Sequence, residues 1–273
     1  MMRFAGILAA LILTFVSHSF ATEQNPPLMP QACAHHVPYG MPKIARPNTQ
    51  LICRTGYFLQ HDSAIKIPLW VSYRLEPARV NGCVPRSNSF APDQSIPKGA
   101  RAEMADYAKS GYDIGHVAPS AEQSWDPRVE TESFYLSNMM PQLPGFNRGI
   151  WKLLETSVRG WTLQRGHVMI IHAGPIFNEH SDRRIGPNGV IVPNAFYKIV
   201  IDSVTGETLA FLFPHQGGLG NDLSKFQVSV ADIEQLTGMR LGLPRNMPRN
   251  RVPPLWPVDF KQVTDSKRAA CSR

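Results

Sequence analysis

Beyond its N-terminal segment the sequence has no hydrophobic run that approaches the ~20 residues needed to cross a bilayer, so no membrane span is expected in the mature chain. It has no internal repeat and no low-complexity tract, which excludes solenoids and long disordered linkers. Cysteine is scarce, four in 273 residues, and no two stand as Cys-x-x-Cys, which argues against a structural zinc site. Acidic residues are outnumbered, 21 against 28 lysines and arginines, giving a formal net charge of +7. Such an excess favours encounter with a polyanion but says nothing about fold.

The one apolar run stands at the start. Arg3 supplies a positive charge, residues 4–16 are apolar, and Ser19-Phe20-Ala21 places small residues where a leader is cut. This predicts a signal peptide over residues 1–21 and a secreted or periplasmic protein. In an oxidising compartment Cys33, Cys53, Cys83 and Cys271 are candidates for two disulfides. Three connectivities are open, and spacing does not choose among them.

Residues 22–55, rich in Pro, Ala and His without periodicity, read as an irregular N-terminal arm. Residues 68–74 (PLWVSYR) predict a strand, as do the short apolar runs 134–137, 168–173, 195–201 and 209–213. Residues 86–99 predict a loop and 102–110 a short helix. A longer helix is expected from Asn147, as N-cap, to about Gly160. Another should run from Ser229, which has capping-box spacing to Asp232, to Gly238. Residues 241–273 read as a basic, Pro-rich C-terminal tail. The fold class is α+β: a mixed, mainly antiparallel central sheet with flanking helices.

The chemistry concentrates between Ser110 and Arg159, in SGYDIGHVAPS, FYLSNMMPQ and FNRGIWKLLETSVRG. Phosphodiester hydrolysis needs a base for water, a cation for phosphate and leaving oxygen, and groups that hold the geometry. His116 follows Gly115 and titrates in a useful range. Asn138 and Asn147 offer neutral oxygens of the kind a hard cation such as Mg2+ accepts. Glu155 offers a carboxylate and Arg159 a guanidinium. Asn147, Trp151, Glu155 and Arg159 recur every four residues and stack along one side of a helix. Taken singly each has a bland explanation, as cap, turn residue or i,i+4 pair. Of the other histidines, His35, His36, His167, His172, His180 and His215 lack metal-site spacing and read as structural or solvated.

Together these segments resemble the DNA/RNA non-specific endonucleases of the ββα-metal fold. The resemblance rests on Asp113-Ile114-Gly115-His116, on Phe134 to Asn138 with Pro141-Gln142, and on Asn147 to Trp151 with Glu155 and Arg159. It extends from Gly56-Tyr57 through residues 70–74, 172–177 and 193–198 to the helix ending at Gly238, which implies a nuclease domain over residues 56–240. The resemblance implies His116 as general base, Asn147 as the direct protein ligand of Mg2+ (with Mn2+ as an alternative ion), and Glu155 orienting the ion's waters, helped by Asp113. It implies Arg159 on the phosphate, Asn138 in support, Arg74 as a second substrate-binding Arg, and DNA and RNA as substrates cut to 5′-phosphate ends. The chain departs from the family at Ile114, where the motif has Arg. Two rivals stand beside this reading: a nucleic-acid-binding protein on the same fold, weakened in catalysis by that departure, and a metal phosphodiesterase for smaller substrates.

Overall fold

Strands built from Ile, Val, Phe, Tyr and Trp with few polar residues on either side must be covered on both faces. Such strands form the centre of this chain, whose computed structural model describes residues 29–178 and 182–272. The expected signal peptide and His180 lie outside the described residues. In chain order the strands are β1 (Thr49–Cys53), β2 (Phe58–Asp62), β3 (Ile67–Leu75), β4 (Asp113–His116), β5 (Met139–Gln142), β6 (Met169–Ile176), β7 (Arg184–Ile185), β8 (Val190–Ile191), β9 (Ala195–Asp202) and β10 (Thr208–Pro214). Six of them form one sheet in the order β1-β2-β3-β6-β9-β10. Every pairing in it is antiparallel, so the sheet is not mixed. β4 pairs with β5 in a separate ribbon.

The helices are α1 (Met104–Tyr107), α2 (Ser120–Gln123), α3 (Pro127–Ser133), α4 (Pro144–Phe146), α5 (Lys152–Arg165), α6 (Val230–Thr237) and α7 (Phe260–Cys271), with a single π-type turn at Asn147–Trp151. The capping box of α6 forms as expected: Asp232 N donates to Ser229 Oγ, Ser229 N donates to the Asp232 carboxylate, and Gly238 closes the helix at φ 65°.

Elsewhere the elements differ from expectation for physical reasons. Asn147 is not an N-cap. The helical path begins at Pro144, whose fixed φ suits a first turn, and the expected single helix is broken at Gly149, where φ is −97° and ψ −113°. Nor is Gly160 a stop. A Cβ there would lie 2.4 Å from Val258 Cγ2, so the glycine admits the C-terminal segment against α5, and the helix ends at Gly166 with φ 66°. Residues 134–137 end α3 and enter a 3-10 turn at Leu136–Asn138, and the strand follows as β5.

The arms are also more ordered than their composition suggests. Thr49–Cys53 forms the edge strand β1, and Cys33 bonds Cys53 beneath it. The tail carries α7, capped by Asp259 and tied by Cys271 to Cys83. Trp161 Nε1 donates to Trp256 O at 3.0 Å, which docks the tail on α5.

Candidate active site

The site is assembled by the β4–β5 ribbon and the helix that follows it. Residue 115 must be glycine because a Cβ there would stand 2.2 Å from the Gln142 side chain, which is itself fully buried. With that close approach, β4 delivers His116 opposite Met139. Asn138 then locks the chain beyond the histidine. Its Oδ1 accepts from Ala118 N at 3.0 Å, and its Nδ2 donates to Ala118 O and Ser133 O, both at 2.9 Å. Asn138 is fully buried with its amide engaged on backbone, so its place is structural support.

His116 is 7% exposed and sits edge-on to Phe134, with ring centroids 4.8 Å apart, while Phe90 lies at 5.6 Å. Its Nε2 is buried without a hydrogen-bond partner among the described residues. Burial, reinforced by the nearby charge of Arg86, pulls the imidazole down to about 3. The ring is therefore neutral at physiological pH and able to accept a proton. Trp151 Nε1 donates to His116 O at 3.3 Å, joining helix to strand directly behind the histidine.

Asp113, at the start of β4, is gripped from the helix. Arg148 donates Nε and Nη2 to its two oxygens at 2.9 and 2.7 Å, and Asn147 Nδ2 donates to Oδ2 at 2.9 Å. Although partial burial works the other way, these bonds hold the Asp113 carboxyl below its ordinary value. They also settle which end of the Asn147 amide is which, because a carboxylate only accepts. Asn147 Oδ1 makes no hydrogen bond among the described residues and is left as a hard oxygen donor. An amide oxygen beside a carboxylate-bearing helix, with no thiol or imidazole cluster, fits a hydrated Mg2+-like ion. No group of three or more His, Cys, Asp or Glu gathers as a metal cage among the described residues.

Two turns along α5, Glu155 and Arg159 join a buried set that sequence reasoning missed. Glu122 on α2 is 1% exposed, and Arg159 Nη1 stands 3.8 Å from its Oε1. Lys198 on β9 is fully buried, its Nζ 3.5 Å from Val117 O and 4.5 Å above the Trp151 ring. Burial pushes Glu155 up to about 7, with Lys198 pulling against it and Glu122 pushing with it. Burial likewise raises Glu122 and lowers Lys198. The available signal was Lys198 itself, a charge in the otherwise apolar run AFYKIVI, since lysine is almost never fully buried without a purpose.

Arg74 is not brought to the site. Side chains alternate along β3, so Tyr73 faces Glu122, Glu155 and Arg159 while Arg74 turns to the other face and pairs with Glu76 at 3.2 Å. The second guanidinium near the histidine is Arg86. It is held by Asn88 at 2.7 Å, lies 4.9 Å over the Phe134 ring, and acts on both His116 and Glu155. No sequence pattern singled it out within its Pro-rich loop. Ile114 is partly buried against the hydrophobic core, so the guanidiniums of this cleft come from Arg86, Arg148 and Arg159 instead.

Four of the other histidines make hydrogen bonds within the fold. His172 bonds Ser72 Oγ at 2.5 Å, His167 bonds Asp202 at 2.8 Å, and His36 accepts from Arg74 N at 3.3 Å. His215 accepts from Leu143 N at 2.8 Å, setting the entry to α4.

Comparison with known proteins gives a consistent answer. The family profile described as DNA/RNA non-specific endonuclease matches residues 41–249. A nuclease of Nostoc sp. is 32% identical over 249 residues, covering 84% of this chain and 89% of that protein. The human mitochondrial nuclease EXOG is 32% identical over 208 residues, covering 70% of this chain but only 56% of its own length. Among solved structures, a chain from the EndoG/EndoGI complex superposes with a TM-score of 0.70 at 29% identity, covering 79% of this chain and 93% of that one.

Proposed function

The chain belongs to the DNA/RNA non-specific endonuclease family, and from that premise we propose that it is an exported, metal-dependent endonuclease that hydrolyses DNA and RNA with little sequence preference and leaves 5′-phosphate ends. The observation that carries this reading is a neutral, buried His116 on the strand whose Asp113 anchors Asn147, with Arg86 acting on both His116 and Glu155.

Within this scheme His116 takes the proton from the attacking water. Its low basicity in the free site rises when a phosphodiester brings negative charge beside it. Asn147 Oδ1 would hold a divalent cation, Mg2+ or Mn2+. Such an ion, when bound, neutralises the phosphate and the leaving 3′ oxygen. Glu155 in its ionised form would accept hydrogen bonds from water brought by such an ion. Asp113, kept ionised by Arg148, fixes the Asn147 amide. Arg159 and Arg86 offer charge to the phosphate oxygens as negative charge builds. All these groups address the backbone rather than base edges, which gives no means to read sequence. The disulfides Cys33–Cys53 and Cys83–Cys271 support an oxidising destination.

The test is digestion of a supercoiled plasmid and an RNA homopolymer with Mg2+, with and without EDTA, followed by end-group analysis. Cleavage of both, abolished by EDTA and yielding 5′-phosphates, is expected. A plasmid retarded on the gel but uncut would instead identify a binding protein, and cleavage confined to small phosphodiesters would identify the other rival.

A further inference from the structure

Lys198 is hard to explain as packing. An ammonium sealed from water costs several kcal/mol unless charge and hydrogen bonds compensate it. Among the described residues Nζ has no carboxylate in direct contact. It has one carbonyl, Val117 O at 3.5 Å, the Trp151 ring at 4.5 Å and the Tyr73 ring at 6.0 Å. A methionine would fill the same volume on β9 without that cost. What Lys198 touches is the rear wall of the cleft: Val117 follows the base His116, and Trp151 anchors the helix that carries Glu155 while donating to His116 O.

We propose that Lys198 is a positioning residue for the reaction: an ammonium beneath the cleft that fixes the Val117 carbonyl and the Trp151 indole behind His116 and serves as the buried counter-charge of Glu155. Glu122 is its opponent, a second buried carboxylate that competes for the same cation. The charged and titratable groups facing Glu155 are Lys198 from β9, Glu122 from α2, Arg159 from α5 itself, Arg86 from the loop and Tyr73 from β3. Both cations on the solvent side, Arg86 and Arg159, are offered to the phosphate. Lys198 alone is fully buried, and its charge favours the ionised form of Glu155 through space when no substrate is present. This rests on the role assigned above to Glu155.

Lys198→Met and Glu122→Gln should act with opposite signs. In the full-length protein without metal, the Glu155 carboxyl carbon is titrated by NMR and assigned by its loss in Glu155→Gln. Removing the cation should move the midpoint up by about one unit or more, and removing the competing carboxylate should move it down. With Mg2+ and plasmid, Lys198→Met should cut slowly near pH 7 and recover toward pH 9, as the carboxyl ionises again. Melting curves establish folding. A lysine that serves packing alone would change melting and leave both midpoints where they were. That result, or wild-type kcat at pH 7 in folded Lys198→Met, overturns the proposal. If Lys198→Met does not fold, Glu122→Gln decides: no downward movement rejects the electrostatic linkage. Because the titration needs neither metal nor cleavage, shifted midpoints in a chain that cuts nothing would uphold the placement of Glu155 and reject only the reaction.

Discussion

Arg86 shares its surroundings with His116 and Glu155, whereas Arg74 is paired with Glu76 on the other face of β3. Arg86→Ala should therefore lower kcat by about 10²–10³, the usual loss when a donor facing developing charge is removed. Arg74→Ala should leave kcat unchanged. Steady-state cleavage of duplex DNA by the two variants checks this, and equal losses would contradict the geometry. Asn147→Ala should raise the Mg2+ concentration needed for half-maximal activity while the protein stays folded. An unchanged Mg2+ dependence would mean that another residue holds the ion. The pH profile belongs to this scale too. Glu155, raised to about 7 by burial, is ionised above that value, so activity should fall as pH drops through about 7. His116, at about 3, stays neutral throughout that range and does not set the limb.

β4, β5 and the helix after them work as one unit, and the joint is glycine. Gly115→Ala would place a Cβ 2.2 Å from the buried Gln142 side chain. Overpacking of this kind costs about 1–3 kcal/mol, and the strand that yields carries His116. Both melting temperature and kcat should drop; a stable, fully active variant would show that the strand can shift without consequence. The unit also shows what was legible in the sequence. Local signals sufficed for β3, β6, β9, β10 and α6, because their alternation, apolar runs and caps are short-range. Asp113, Gly115, His116, Asn147, Glu155 and Arg159 stood out because motif order exposes them. Glu122, Lys198 and Arg86 did not, since they come from a helix, a strand and a loop far apart in sequence, which only the tertiary fold brings together. The π-type turn at Asn147–Trp151 was hidden for the same reason: Leu143 N bonds His215 across the sequence, and that contact sets how the helix starts.

Across the whole molecule, two features govern stability. Cys83–Cys271 closes a span of 188 residues and ties α7 to the start of the loop that carries Arg86. Removing it as a Cys83→Ser, Cys271→Ser pair should cost about 2–4 kcal/mol by melting; an unchanged melting temperature would show that the tail docks without it. Acidification is the second. His36, His116 and His172 are held near 3, 3 and 4 by burial, against 6.5 for the free side chain. Between 6.5 and about 4 the unfolded chain binds protons there that the folded chain refuses, so stability falls on acidification by up to ~1.4 kcal/mol per pH unit for each. Glu155 and Glu122, raised by burial, oppose part of this. The loss of melting temperature from pH 7 to pH 5 should accordingly be smaller in His172→Gln than in the unaltered protein. An identical slope would place His172 outside the linkage.

The most direct test of the central claim, that this cleft performs phosphodiester hydrolysis with His116 as base, is the rate of plasmid and RNA cleavage by His116→Ala beside the unaltered protein in the same Mg2+ buffer. Loss of the base predicts a fall of about 10²–10⁴ on both substrates, with melting and Mg2+ dependence retained. Cleavage at the unaltered rate by a folded His116→Ala protein would contradict the assignment of the base and, with it, the site.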